Sequence, residues 1–257
     1  MEKLRFIDLS VSLANTPPGS YLTTEINYIT HEQGADHRSK VSGLPKGFFP
    51  ENRFLAHEKL TLSSHSGTHL DAPWHYGPTS EGKPARTIDE IPLEWCFSDG
   101  VVLNFTHKKA GGLITVGDLQ EALNKIKYAI KPYDIVLIRT DASKHYNETE
   151  YATLHSGMGR KSTLWLIEQG VRVMGIDAWT WDRPVDVMIN ECRDQGKAGD
   201  TFFAAHFSGK EKEYCHLENL ANLDKLPKPY GFKVSVFPTK ITRASSGWVR
   251  AVAILEE

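Results

Sequence analysis

Between Ser63 and Gly77 the chain reads SSHSGTHLDAPWHYG, which sets His65, His69, Asp71 and His75 within eleven positions. Imidazoles and a carboxylate at this density suit a first-row divalent metal with positions left for water. The four share one parity, so a straight strand would place them on one face. At about 3.3 Å per residue, however, His65 and His69 would then stand roughly 13 Å apart. One zinc draws its ligands to about 2 Å. A helix would join i to i+4, but Gly67, Thr68 and Pro73 oppose it. Glycine costs entropy, threonine is β-branched, and proline drives Ala72 out of the helical region. The spacing therefore predicts that the strand KLTLSS ends in a tight loop bent at Gly67, so that His65, His69 and Asp71 converge on one ion. Asp71 has two oxygens and can bridge two ions. His75, past the rigid Asp-Ala-Pro, is predicted to reach the activated water as general base or acid without binding the ion.

A second run, AAHFSGKEKEYCHLENL, holds His206, Glu211, Glu213, His216 and Glu218. Such a charged run is usually a solvated surface. It could equally supply nitrogen and carboxylate donors to a second ion about 3.5–4 Å from the first. Trp74, Trp179 and Trp181 flank the motif segments and would form a flat apolar wall for an aromatic or cyclic substrate, or else pack the core. Arg160, in LHSGMGR, could bind a substrate carboxylate with the helix N-terminus, or simply open a helix. Asp177 ends a strand, where it would orient a ligand histidine or act as a cap. Cys96, Cys192 and Cys215 are odd in number and lack CxxC spacing. That argues against a disulfide framework or a thiolate zinc site and for a reduced, cytoplasmic setting.

Elements must hold these groups in place. RFIDLSVSL and EKLTLSS alternate as half-buried strands do, while GVVLNF, DIVLIRT, VRVMGID, FKVSVFP and WVRAVAIL read as strands of a buried sheet. Thr115 can cap a helix over VGDLQEALNKI with Asp118 three residues on, and KSTLWLIEQG makes a second helix that stops at Gly170. A third short helix is expected over LENLANLDKL. Ala14–Asn52 and Asp182–Asp200 read as irregular, and loops of that length usually cover something. The pattern is α/β with a mixed sheet.

The 257 residues suit one domain, taken here as 1–257, with ample material for a core. A net charge of −2, with basic residues scattered, argues against nucleic acid or an anionic membrane surface as partner. Nothing approaches 18–20 consecutive apolar residues, and the charged N-terminus lacks a signal-peptide core. There is no Gly-x-Gly-x-x-Gly after a strand and no Walker lysine loop, which excludes those nucleotide-binding motifs.

HSGTHLDAPWH resembles the HxGTHxDxPxH signature of the cyclase family, which includes kynurenine formamidases, isatin hydrolases and related metal-dependent hydrolases. VRVMGIDAWTWD is similar to that family's Gly-x-Asp strand end, and His206 with Glu218 twelve residues later resembles its second ligand pair. The resemblance implies a swivelling β/β/α domain with a mixed, partly barrel-like sheet and flanking helices. It implies that His65, His69 and Asp71 bind one ion, that Asp71 bridges to a second held by His206 and Glu218, and that His75 moves the proton of the attacking water. Zinc or manganese, one or two ions per chain, would be the cofactor. A homodimer or homotetramer is implied, with N-terminal segments closing neighbouring sites. The expected reaction is hydrolysis of a small amide, lactam, ester or lactone. N-formylkynurenine formamidase is the narrower alternative; a non-catalytic metal-binding protein and a non-hydrolytic cyclase are alternatives of other classes.

Overall fold

The computed structural model describes residues 3–16, 22–196 and 201–256. The chain divides into two compact units, residues 1–12 with 67–257 and residues 13–66. The smaller unit is an insertion in sequence, and the single domain expected over 1–257 is retained as a proposal.

Within the larger unit, nine strands form one sheet: β1 (Leu4–Asp8), β2 (His69–Asp71), β3 (Phe97–Asn104), β4 (Ile135–Arg139), β5 (Val173–Ile176), β6 (Cys215–Glu218), β7 (Tyr230–Ser235), β8 (Ser246–Trp248) and β9 (Val252–Glu256). Their order is β1-β9-β7-β3-β4-β5-β6-β2-β8. The run β3-β4-β5-β6 is parallel, and every other neighbour is antiparallel. The mixed sheet expected from sequence is thus observed, curled into a half-barrel with helices alongside.

The central runs are apolar at consecutive positions because both sheet faces are covered. Period two sorts their side chains. Val101, Leu103, Val136 and Ile138 join one core cluster, while Val102, Ile135 and Leu137 join the other.

The helices follow their caps. In the smaller unit, α1 (His31–Ser42) starts at a Thr30–Gln33 capping box and ends at Gly43, whose φ of 72° is left-handed. In the larger unit, α2 (Pro73–Tyr76) is one turn. The expected α3 (Val116–Ile126) starts at the Thr115–Asp118 box and buries Leu119 and Leu123. The second expected helix is α4 (Arg160–Glu168), followed by α5 (Val185–Gln195) and α6 (Ala204–Phe207).

Three expectations need correcting. Ala14–Asn52 is not irregular: its described part contains α1 and a strand, Glu25–Ile29, paired antiparallel with His57–Thr61. HEQGADHRSKVS carries no apolar stripe, so only its cap marked it as helical. Asp182–Asp200 contains α5, and residues 197–200 lie outside the described part. LENLANLDKL is not a helix: Leu217 and Glu218 belong to β6, and only Leu223–Lys225 make a single 3₁₀ turn. Pro73 holds Ala72 out of the helical region as expected, and it also starts a helix. It stands at the first position of α2, where its missing N–H costs nothing, while Ala72 before it stays extended (φ −90°, ψ 158°).

Candidate metal centre

The site is built by the register of two short buried strands. Antiparallel pairing of β2 with β6 sets Asp71 opposite His216 and His69 opposite Glu218. Directly opposed residues share a sheet face, as do residues i and i+2. His69, Asp71, His216 and Glu218 therefore occupy one face, while Leu70 and Leu217, paired between them, enter a core cluster on the other. Slipping the register by one residue would exchange the two sets. β8 flanks β2 on its far side and fixes it from there.

His206 arrives from α6, and its Nε2 stands 3.5 Å from Glu218 Oε1 and 3.9 Å from Asp71 Oδ2. His216 Nε2 is 3.2 Å from Asp71 Oδ2 and 3.3 Å from Glu218 Oε1. His69 Nε2 faces the other oxygens, at 3.2 Å from Asp71 Oδ1 and 3.7 Å from Glu218 Oε2. Each carboxylate thus turns one oxygen toward His206 and His216 and one toward His69. All five side chains are buried.

Each imidazole is held from behind. His69 Nδ1 lies 2.9 Å from the Gly67 carbonyl, which also accepts from Asn219 Nδ2 at 3.1 Å. Gly67 has φ +64°, a left-handed conformation suited to glycine, and this bend is the turn the sequence predicted. His206 Nδ1 lies 2.6 Å from Asp182 Oδ2, and the same carboxylate accepts from the amides of Ala205 and His206. The Trp181 amide donates to Glu218 Oε1 at 2.9 Å. Such partners fix a ring's tautomer and orientation.

The electrostatics match a cation site. Burial alone would lower the His216 pKa, but hydrogen bonds to Asp71 and Glu218 and their charges overcome it and raise the value above the histidine norm. His69 is raised against the same burial by Asp71 and Glu218. Burial would raise Glu218, yet the His216 hydrogen bond and the imidazole charges hold it well below the carboxylate norm. Two buried carboxylates demand positive charge.

Asp71, His206, His216 and Glu218 can present donor atoms that all lie within 4.8 Å of one another. Ligands about 2.0–2.1 Å from one tetrahedral ion stand about 3.3–3.4 Å apart. The imidazole-to-carboxylate separations of 3.2, 3.3, 3.5 and 3.9 Å straddle that edge, so the residues fit a divalent metal.

Of the remaining candidates, His75 sits exposed on α2 with Nε2 3.6 Å from Asp71 Oδ2. Trp74 beside it is 44% exposed. Trp179 packs partly buried against a core cluster. Trp181 is fully buried, donates to Thr163 Oγ1 at 3.0 Å, and stacks at 17° on His216. It backs the His216 ring rather than facing an opening, and the wall reading for Trp181 gives way to packing. Arg160 forms a two-pronged pair with Glu211, and Arg86 pairs with Glu213, which accounts for both other acids of the second run. Asp177 accepts from Thr140 N, Thr140 Oγ1 and Asp141 N at 2.6–2.9 Å, which makes it a cap for the chain after β4. Burial pushes its pKa up to about 6 despite those bonds. His65 lies in the smaller unit, in the turn after His57–Thr61, where its amide donates to Ser63 Oγ at 3.1 Å.

Sequence reasoning did not assign His216 or Asp182. The signal for His216 was the pair of patterns His-x-Asp and His-x-Glu, each putting a donor pair on one face of a strand. Asp182 had none beyond its place at the end of the second motif.

Residues 7–183 match the family model described as "Putative cyclase". The chain is 28% identical over 196 residues to the kynurenine formamidase of Bacillus thuringiensis, covering 76% of this chain and 78% of the relative. It is 26% identical over 215 residues to the isatin hydrolase of Roseibium aggregatum, covering 79% and 76%. Among solved structures, an isatin hydrolase bound to the product analogue thioisatinate superposes with a TM-score of 0.75 at 20% identity, covering 99% of this chain and 93% of that one. A potential metal-dependent hydrolase with cyclase activity gives 0.65 at 18% identity, covering 99% and 100%. The fold is that of the isatin hydrolases and cyclase-family metal hydrolases. This chain belongs to the cyclase family, and it is an enzyme of the hydrolase class.

Proposed function

We propose that this protein is a metal-dependent hydrolase that attacks the carbonyl of a small cyclic or aromatic amide, lactam or lactone. The observation that carries this is the set of three Nε2 atoms around the two oxygens of each of two buried carboxylates. Zinc or manganese is the proposed ion, one or two per chain, held by Asp71, His206 and Glu218 on one side and His69 on the other. His65 is assigned as a further donor on its motif position alone. When bound, a divalent ion supplies Lewis acidity, polarising a carbonyl and making water nucleophilic near neutral pH.

The chain's own groups do the rest. Asp182 and the Gly67 carbonyl hold His206 and His69 in the tautomer that presents Nε2. His75, on a turn open to solvent, takes a proton from the attacking water and returns it to the leaving nitrogen or oxygen, a role typically worth 10²- to 10⁴-fold. Trp74 lies next to it and offers an apolar face to a substrate ring. The same chemistry serves a formamide or a lactam. The formamidase relatives support N-formylkynurenine as a candidate and the isatin hydrolase relative supports a lactam. A homodimer or homotetramer and a cytoplasmic setting complete the proposal; no helix among the described residues is long and apolar enough to cross a membrane.

The test pairs metal analysis of protein purified without chelator with turnover of N-formylkynurenine, isatin and a small lactone. Stoichiometric metal with chelator-sensitive turnover of at least one is expected. Full turnover after complete metal removal would refute the proposal.

A further inference from the structure

We propose that His216 is a nitrogen donor of the metal site, and that Tyr76 and Tyr214 are positioning residues whose hydroxyls hold it in the tautomer able to serve. The inference rests on the metal reading above and adds to the ligand set a residue that the sequence offered only as one of five in a charged run.

His216 Nδ1 lies 3.0 Å from the Tyr76 hydroxyl oxygen and 3.2 Å from that of Tyr214. Both phenols have other uses for their protons. Tyr214 donates to the Ala205 carbonyl at 2.9 Å, and Tyr76 donates to the Asp71 carbonyl at 3.3 Å. Their oxygens are thereby left as acceptors, and the Nδ1 proton lies within hydrogen-bond reach of both. A neutral imidazole with its proton on Nδ1 carries its lone pair on Nε2. That lone pair points at Asp71 Oδ2 and Glu218 Oε1, two atoms that when ionised can only accept. Nε2 stands 3.2 and 3.3 Å from these two oxygens, where a metal ion would replace the proton it shares with them in the metal-free fold.

The ring is also barred from turning. Trp181 and Tyr76 lie nearly parallel to it, at 17° and 22°. Tyr76 stacks in turn on Tyr214 at 14°. Gly209 backs Tyr76 so closely that a Cβ there would meet its ring at 2.0 Å. The device differs from those behind the other two imidazoles: His206 has a carboxylate, His69 a carbonyl, and His216 two neutral phenols. A further imidazole moves the donor set toward nitrogen, which favours zinc or cobalt over manganese.

The test uses the full chain, stripped of metal and titrated with zinc, cobalt or manganese ions under chelator competition. In the zinc-loaded wild type, long-range nitrogen–proton correlation should show His216 with its proton on Nδ1. The double variant Tyr76→Phe/Tyr214→Phe keeps both rings; it should bind zinc about 10- to 100-fold more weakly and lose part of its preference over manganese, each single variant less. His216→Ala should alter the visible spectrum of the cobalt form. A wild-type His216 protonated on Nε2 in the loaded protein overturns the inference, as does a cobalt spectrum unmoved by His216→Ala. These read the wild type or one alanine variant, so poor folding of the double variant leaves the test intact. A wild type that binds no divalent ion overturns the metal reading itself, and this inference with it.

Discussion

The β2–β6 ladder and the α2 turn adjoin in sequence and supply opposite physical needs. The ladder buries His69, Asp71, His216 and Glu218 to 7% exposure or less. It fixes their spacing by strand register and covers its reverse with Leu70 and Leu217. The turn leaves Trp74 and His75 exposed on a single helical loop started by a proline. A cation site needs converging donors in a dry, unyielding frame. A proton carrier needs solvent, and a substrate wall needs an open face. One residue of chain, Ala72, separates β2 from α2. The ladder should therefore govern metal affinity and the turn should govern rate and substrate choice.

Asp71→Asn should break this division most severely. Asp71 faces His69, His75, His206 and His216 at once. Losing its charge should abolish stoichiometric metal and cut turnover at least roughly a thousandfold, since several kcal/mol of charge stabilisation goes with the ion. Metal analysis and kinetics on the same sample check it. His75→Ala should be the mirror image, with metal retained and kcat down by about 10²- to 10⁴-fold. Loss of metal in that variant would move His75 into the ligand set and erase the contrast between turn and ladder.

Asp182→Asn keeps shape but weakens the hold on His206 Nδ1, so metal affinity should fall about 10- to 100-fold with little change in rate once the protein is saturated. The pH dependence follows from His69 and His216, both raised in the metal-free fold. A histidine with a raised folded value contributes stability that is fully present below its unfolded value, about 6.5, and is lost as pH rises through the folded value. Metal-free protein should thus melt at lower temperature as pH climbs above neutrality, whereas added zinc should oppose that loss. Metal must also displace the protons, so apparent affinity should rise by up to about tenfold per pH unit for each proton released. Calorimetry in two buffers of different ionisation enthalpy counts those protons.

How far the sequence revealed these two regions depended on range. The dense run His65 to His75 pointed to a metal site through residue type alone, and Gly67 supplied the bend that site required. The partner strand lay some 150 positions away, and no local rule fixes which strand pairs with which. His216 therefore stayed one charged-run residue among five until register placed it opposite Asp71. Pro73 was legible as a break but not as a helix start, because a single turn has no periodicity to read. Trp181 and Trp74 look alike in sequence, and only burial separates a ring that backs His216 from one that faces out.

That last pair gives the mildest test of the comparison. Trp74 belongs to the turn and is 44% exposed, so Trp74→Ala should leave metal content and melting temperature close to wild type. If its ring covers about 40–60 Å² of an aromatic substrate, losing it removes about 1–1.5 kcal/mol at the usual 25 cal/mol per Å². That is about a five- to twelvefold drop in kcat/KM for isatin or N-formylkynurenine, with little change for a small aliphatic lactone that has no ring to stack. Trp181→Ala should behave as a ladder residue instead, lowering stability and metal affinity and slowing every substrate alike. Equal losses on aromatic and aliphatic substrates in Trp74→Ala would deny the turn its part in substrate choice and leave it proton transfer alone.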